Sequence, residues 1–250
     1  MKRTALATIS LLFMLAFSSC KEGEIISKDF IADNSYTELL VDGNFDVRID
    51  TLATQITVTC GEKVMPKVKI KTERGSLKII QTRSTIRRHV KVVLPYNVNL
   101  TGLTLKGTAY LTSQHSLKGQ QVDLILDGAS EFVGDLNADK IVATLSGASK
   151  IGGLVDSYDF TLCMNEASSA KLEGFAEQLY LDFDGASELV EMIIGDRYSL
   201  ECDYCEAKLT GASYAYIHCY DRINSDTDQS SELHYTGFAT VRGKALHEVL

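Results

Sequence analysis

From Val122 onward the chain alternates apolar and polar side chains in short runs, and the runs recur at a fixed spacing. Val122, Leu124 and Leu126 are followed by Ile141, Ala143 and Leu145, then by Phe160, Leu162 and Met164, then by Leu179, Leu181 and Phe183. The interleaved residues, among them Asp123, Thr144, Thr161, Tyr180 and Asp182, are mostly polar. A period of two marks a strand with one buried face. Each run ends in one short phrase: Leu126-Asp127-Gly128-Ala129-Ser130, Leu145-Ser146-Gly147-Ala148-Ser149, Met164-Asn165-Glu166-Ala167-Ser168 and Phe183-Asp184-Gly185-Ala186-Ser187. Leu105 to Ala109 is an earlier copy, and Thr227-Asp228-Gln229-Ser230-Ser231 is a degraded last one. The third place of the phrase falls at Gly107, Gly128, Gly147, Glu166 and Gly185: one slightly longer step, then a constant one.

A second apolar run follows each phrase, at Phe132, Ile151, Leu172 and Leu189, with glycine corners at Gly134, Gly152-Gly153 and Gly174. A unit this short, made of extended pieces and sharp corners, has no room for a useful helix. Stacked in parallel about 4.8 Å apart, such units form a continuous core. The pattern therefore predicts an all-β fold, a right-handed parallel β-helix (solenoid) with coils of about 19 residues. Glycine in the third place of the phrase suits a corner that needs positive φ; Glu166 is the exception.

The preceding residues also alternate, but at other spacings: Phe45, Val47 and Ile49; Ile56 and Val58; Val68 and Ile70; Leu77 and Ile79; Val90, Val92 and Leu94. Turn signals such as Asp42-Gly43-Asn44 and Arg74-Gly75-Ser76 separate them. This reads as a β-rich segment, out of phase with the repeat, that caps the stack. After Gly185 two registers compete. One places Tyr204 in the glycine slot. The other, preferred, places Gly211 there after a long coil and leaves a step of nearly normal length to Gln229.

The first residues are of another kind. Lys2 and Arg3 precede an apolar run from Leu6 to Phe17, too short to favour a spanning helix, which ends at Ser18-Ser19-Cys20. That ending resembles a bacterial lipobox, which implies lipidation of Cys20 and attachment to a membrane without crossing it. Lys21-Glu22-Gly23-Glu24 resembles the surface-export signal of Bacteroidetes lipoproteins; a plain charged tether is the other reading. The chain thus divides into a signal peptide (1–19), a lipid-anchored tether (20–35), an N-terminal β-segment (36–98), β-helical repeats (99–237) and a C-terminal cap (238–250).

The opening Val41-Asp42-Gly43-Asn44-Phe45-Asp46-Val47-Arg48-Ile49, the iterated Gly-Ala-Ser phrase and the closing Ser230-Ser231-Glu232-Leu233-His234-Tyr235-Thr236-Gly237 together resemble a Bacteroidetes family of unknown function. Its label is "putative auto-transporter adhesin, head GIN domain". The resemblance runs from about Tyr36 to Gly237. It implies a β-helical, exported, often lipid-anchored protein and carries over no catalytic residue. The chain departs from the family pattern at Glu166, at Gln229 and between Glu191 and Lys208.

The residues that carry chemistry point away from an enzyme. There is no Gly-x-Ser-x-Gly elbow and no phosphate loop, and His89, His115, His218, His234 and His247 are scattered. Coils this short leave little for the loops that build a cleft, so no catalytic residue, cofactor or metal site is expected. Ser130, Ser149, Ser168 and Ser187 stack along one corner, either as hydroxyls offered to a polymeric ligand or, the preferred reading, as partners of corner backbone. Tyr214, Tyr216 and Tyr220 are candidate contacts for a glycan or a surface protein. Asp182 and Asp184 share a strand face, the weak basis of an alternative polysaccharide lyase or hydrolase. Five cysteines follow Cys20, an odd number for a full disulfide framework. Cys202 and Cys205, at i and i+3 of a strand, should face opposite sides, against both chelation and pairing.

Charge is segregated. Ten Lys and Arg lie between Cys60 and Lys91 against Glu62 and Glu73, although the whole chain carries a net charge of −8. Lys67, Lys69, Lys71, Arg87 and Arg88 form a basic strip, read either as a contact for a polyanion or, preferably, as the charged face of an edge strand. An acidic, exported chain is no nucleic-acid binder. The function expected is that of a non-enzymatic, adhesin-like or ligand-binding lipoprotein of the outer membrane, facing the surface or the periplasm. The third alternative is a purely structural envelope protein. Oligomeric state and ligand identity are not written in the pattern.

Overall fold

The computed structural model describes residues 23–31, 35–82, 89–190, 200–243 and 246–248. Among them the chain is all-β, with a single 3-10 turn at Met65–Lys67. The sheet is mixed, and its parallel part follows the repeat. Leu117–Leu126 pairs in parallel with Leu136–Leu145, that strand with Lys150–Met164, and that one in turn with Ser169–Phe183. Leu126 meets Leu145, Leu145 meets Met164 and Met164 meets Phe183, so identical positions of the repeat stack. Leu200–Leu209 and Tyr214–Thr227 continue the ladder.

Two apolar columns define the core. One runs Val41, Leu105, Leu126, Leu145, Met164, Phe183, Leu209, Thr227. The other runs Val47, Leu111, Phe132, Ile151, Ala170, Leu189, Ala215, Leu233. All are buried. The inward set read from the alternation (Val122, Leu124, Leu126, Ile141, Leu145, Phe160, Leu162, Leu179, Leu181 and Phe183) lies in this core at no more than 2% exposure. At the corners Gly128, Gly147 and Gly185 take φ of +82°, +75° and +79°, and Glu166 follows them at +65°.

The N-terminal segment is not out of phase with the repeat. Gly43 pairs with Gly107, and Glu38–Gly43 and Phe45–Asp50 stack in parallel on Gly102–Gly107 and Tyr110–Ser113. The phase is hidden in the sequence because the whole of 44–106 lies between those two glycines. There the chain goes outward to lay down Ser76–Gln81 and Val90–Pro95 on the far side. Antiparallel strands finish that end: Val68–Glu73 against Ser76–Gln81, and Ile25–Phe30 against Ile56–Gly61, which itself pairs with Val90–Pro95. At the other end Thr240–Gly243 and Leu246–Glu248 extend the ladder in parallel. Of the two registers after Gly185, the pairing follows the one with Gly211 in the slot, since Leu209 pairs with Phe183 and with Thr227.

Candidate functional site

The serine ladder is turned inward. Ser130, Ser149, Ser168 and Ser187 are buried, and their hydroxyls donate to the carbonyls of Leu105 (3.3 Å), Leu126 (3.2 Å), Asn165 (3.1 Å) and Asp184 (2.8 Å). The hydroxyls thus find backbone partners inside the apolar core; the Leu105 and Leu126 carbonyls also accept from the N–H groups of Asp127 and Ser146 in the ladder. The reading of this row as a ligand contact is corrected by its burial.

At the Gly211 corner side chains of the following corner add bonds to the backbone ladder. Asp228 accepts from the Gly211 N–H at 2.8 Å, Ser230 Oγ accepts from Ala212 N–H and Ser231 Oγ from Ser213 N–H, both at 3.1 Å. The bond from Gly211 and those from Ser230 and Ser231 hold the Asp228 carboxyl far below the usual carboxylate range.

Tyr214, Tyr216 and Tyr220 differ in exposure: half-buried, buried and exposed. Tyr216 is 4% exposed, which removes it as a ligand contact. Tyr214 stacks on His234 at 4.9 Å. Tyr220 donates to the Glu201 carboxylate at 2.5 Å and meets the edge of His218. Burial lowers the pKa of His218, whose Nδ1 lies 2.7 Å from Thr236 Oγ1.

Lys69 and Lys71 are exposed on Val68–Glu73, and Lys67 is half-buried just before it. Among the described residues that strand pairs with Ser76–Gln81 alone. Lys71 and Lys78 both contact Glu73, at 2.8 and 3.3 Å, and lower its pKa by hydrogen bonding. This is the charged edge that blunts further pairing. Arg87, Arg88 and Cys20 lie outside the described residues.

Cys202 and Cys205 correct the strand argument: both are buried and face the core. The same pair of positions is buried in the preceding coils, as Ala138 and Ile141, Ser157 and Phe160, and Ala176 and Leu179, so strict alternation is broken at this place in every coil. No group of residues suited to holding a metal occurs among the described residues, and none of their helices is long and apolar enough to cross a membrane.

The outer face of the same strands presents a group not singled out in the sequence. Tyr158, Tyr180 and Tyr204, exposed by 54%, 36% and 39%, lie on three successive strands. Gln178 joins two of them: its Nε2 donates to Tyr158 Oη at 3.3 Å, and its Oε1 accepts from Tyr180 Oη at 2.9 Å. Arg222 stands 5.6 Å above the Tyr204 ring. Tyr180, Tyr204, Glu206, Arg222 and Asn224 line a shallow hollow of about 240 Å³. The available signal was aromatic side chains at outward positions, where other repeats carry mostly polar residues. A larger groove of about 820 Å³ lies near the first described residues, between Ile25, Cys60, Val64, Val90, Ala109 and Tyr110, with Asp46, Lys91 and Glu131 also lining it.

The family described as "Putative auto-transporter adhesin, head GIN domain" matches residues 35–239. No curated protein matches the chain. Among solved structures the chain is similar to a "putative adhesin" from Parabacteroides distasonis, with a TM-score of 0.76 and 18% identity over 91% of this chain and 97% of the other. A "putative adhesin" from Parabacteroides merdae gives a TM-score of 0.77, again at 18% identity over 91% and 97%. A "putative lipid binding protein" from Parabacteroides distasonis gives 0.71 at 15% identity over 91% and 98%. At these identities the likeness is one of fold.

Proposed function

The chain belongs to the family described as putative auto-transporter adhesin, head GIN domain, and on that footing we propose that it is a non-enzymatic, exported lipoprotein whose stacked strands form a right-handed parallel β-helix. It is held at the outer membrane through Cys20 and binds glycan along its tyrosine face. The constant parallel offset between successive strands supports the helix, and the strong preference of parallel crossovers for one hand supports its sense.

The observation that carries the binding reading is the face of Tyr158, Tyr180 and Tyr204. A flat aromatic row, cross-linked by Gln178 and flanked by Arg222, Glu206 and Asn224, offers ring faces for the apolar side of a sugar and polar groups for its hydroxyls. Rings fixed by hydrogen bonds lose little entropy when a ligand arrives. The test is a panel of host and bacterial polysaccharides, with affinity measured for the parent and for Tyr180→Ala/Tyr204→Ala. Loss of two aromatic contacts should weaken binding about tenfold or more, at over ~1 kcal/mol for an anchoring ring. Undiminished binding by the double variant would remove the face from consideration.

The panel also addresses catalysis. A hydrolase or lyase needs two groups within reach of one bond inside a cleft that excludes water. Asp182 and Asp184 lie exposed on the outer face. No new reducing ends or unsaturated products are expected; turnover abolished by Asp182→Asn or Asp184→Asn would establish the enzymatic alternative. Acyl-chain binding is a second reading, favoured by the groove beside Ile25 and by the lipid-binding name of one structural relative. Fatty acid in the same assay separates the two, since only a ligand of the tyrosine face is lost with Tyr180 and Tyr204.

A further inference from the structure

Three of the five cysteines that follow Cys20 meet in one place. Cys202, Cys205 and Cys219 are all buried. Cys202 and Cys219 are direct register partners on adjacent parallel strands. The thiol of Cys202 lies within hydrogen-bonding distance of both Cys205 and Cys219. Cys219 Sγ also donates to the carbonyls of Asp203 and Arg222, both at 3.3 Å. A run of three thiols is an unusual filling for these columns: Cys202 sits in register with Ala176, and Cys205 with Leu179 and Ile223.

We propose that Cys202 and Cys219 form a disulfide that staples two successive coils of the stack, with Cys205 left as the neighbouring thiol. Register partners on adjacent strands lie about 4.8 Å apart at Cα, inside the roughly 4.4–6.8 Å range that a disulfide spans. Directly after Cys219 the Tyr214–Thr227 strand carries one extra residue before its next pairing at Arg222, and this bulge interrupts the ladder and lets that strand absorb the small approach of the Cβ atoms. Cys205 is the weaker partner for Cys202. Residues i and i+3 of a strand lie up to about 10 Å apart, and although both side chains are buried, Cys205 has no cysteine in register on either neighbouring strand. The odd count that argues against a full framework is accounted for: one bridge forms, and three cysteines stay reduced.

The step is a two-electron oxidation by thiol–disulfide exchange. The Cys202 and Cys219 thiols give up two protons and two electrons as the Sγ–Sγ bond forms. The disulfide of an oxidised dithiol protein of the envelope receives them and is released as two thiols. Because all three thiols are buried in the finished fold, the exchange takes place as the last coils close. In the cell it rests on the export reading proposed above, since a reducing compartment would keep the thiols apart.

The experiment keeps those two claims separate. The full chain carrying Cys20→Ser is unfolded, refolded in a mixture of oxidised and reduced glutathione, digested without reduction and mapped by mass spectrometry. The expected product joins the Cys202 and Cys219 peptides with loss of two hydrogens, and the thiol titre of the denatured protein falls by two. Cys205→Ser should leave that product in place, whereas Cys202→Ser and Cys219→Ser should each abolish it. A refolded protein with all its thiols intact overturns the proposal, and so does a bridge from Cys202 to Cys205. Far-ultraviolet circular dichroism of the serine variants, matched to that of the parent, excludes misfolding as the cause of a lost product. The same map on protein taken from cells then tests export: a bridge that forms on refolding but not in cells upholds the pairing and refutes the compartment.

Discussion

Glu166 stands where the neighbouring corners have glycine, and its backbone takes the left-handed conformation all the same, at φ +65°. A non-glycine residue there costs ~1–2 kcal/mol, partly offset because glycine would free the unfolded chain by ~0.4–1 kcal/mol. Glu166→Gly should therefore raise the urea midpoint by the equivalent of up to about 1 kcal/mol. Gly147→Ala should lower it. It adds the same strain at φ +75°, and its Cβ would run into the Gly128 carbonyl oxygen of the coil beneath. A Gly147→Ala protein as stable as the parent would mean that the corners move freely, contrary to the ladder that joins Ala148 N–H to Gly128 O at 2.6 Å. The serine two places on shows the same constraint from the other side. Its hydroxyl is taken up by a corner carbonyl, so a row of identical polar residues that reads as a binding strip is part of the core.

At the level of the strand, stability rests on columns. Leu162 lies between Ala143 and Leu181 in adjacent coils and is fully buried. Leu162→Ala would open a void in a column whose neighbour at 143 is already small, at a cost of about 2–5 kcal/mol, measured as a shift of the denaturation midpoint. A change smaller than about 0.5 kcal/mol, as surface sites typically give, would contradict the column. These strands were legible because alternation and a constant step act together between residues 117 and 189. Where either fails, so does legibility. Gly43 shares its corner with Gly107, but the strands laid down in between break the spacing, so the shared phase is visible only in the pairing. Cys202 and Cys205 violate strict alternation at a place where every coil does, as Ala176 and Leu179 show in the strand before, and strand periodicity applied to Cys-Asp-Tyr-Cys alone misses it. Tyr216 is polar-tipped and outward by simple count, yet it is buried. The tyrosine face needed three dimensions, since Tyr158, Tyr180 and Tyr204 do not keep the step of the repeat.

Across the whole molecule, charge and chain entry coincide. The strands at one end of the stack, Val68–Glu73, Ser76–Gln81 and Val90–Pro95, come from the segment that holds ten Lys and Arg. Ile25–Phe30 joins that same end through Ile56–Gly61, and a Cβ on Gly23 would touch the Glu62 side chain. A lipid on Cys20, just ahead of Gly23 in the chain, would thus place the basic end at the membrane. Lys69 and Lys71 would then add electrostatic attraction to the anionic headgroups, the second signal that a weak acyl anchor needs. The tyrosine face would stand off at the opposite part of the stack, roughly 25–35 Å away at about 4.8 Å per coil, clear of the headgroups and open to a ligand. Cys20→Ser should move the protein from the membrane fraction to the soluble fraction, and Lys69→Glu/Lys71→Glu with Cys20 intact should weaken its membrane binding at low salt and remove most of the weakening that added salt causes in the parent. Protease added to intact cells would then report which side the stack faces. Continued sedimentation of Cys20→Ser with the membrane would remove the anchor from the account, and the orientation argued from the basic end would fall with it.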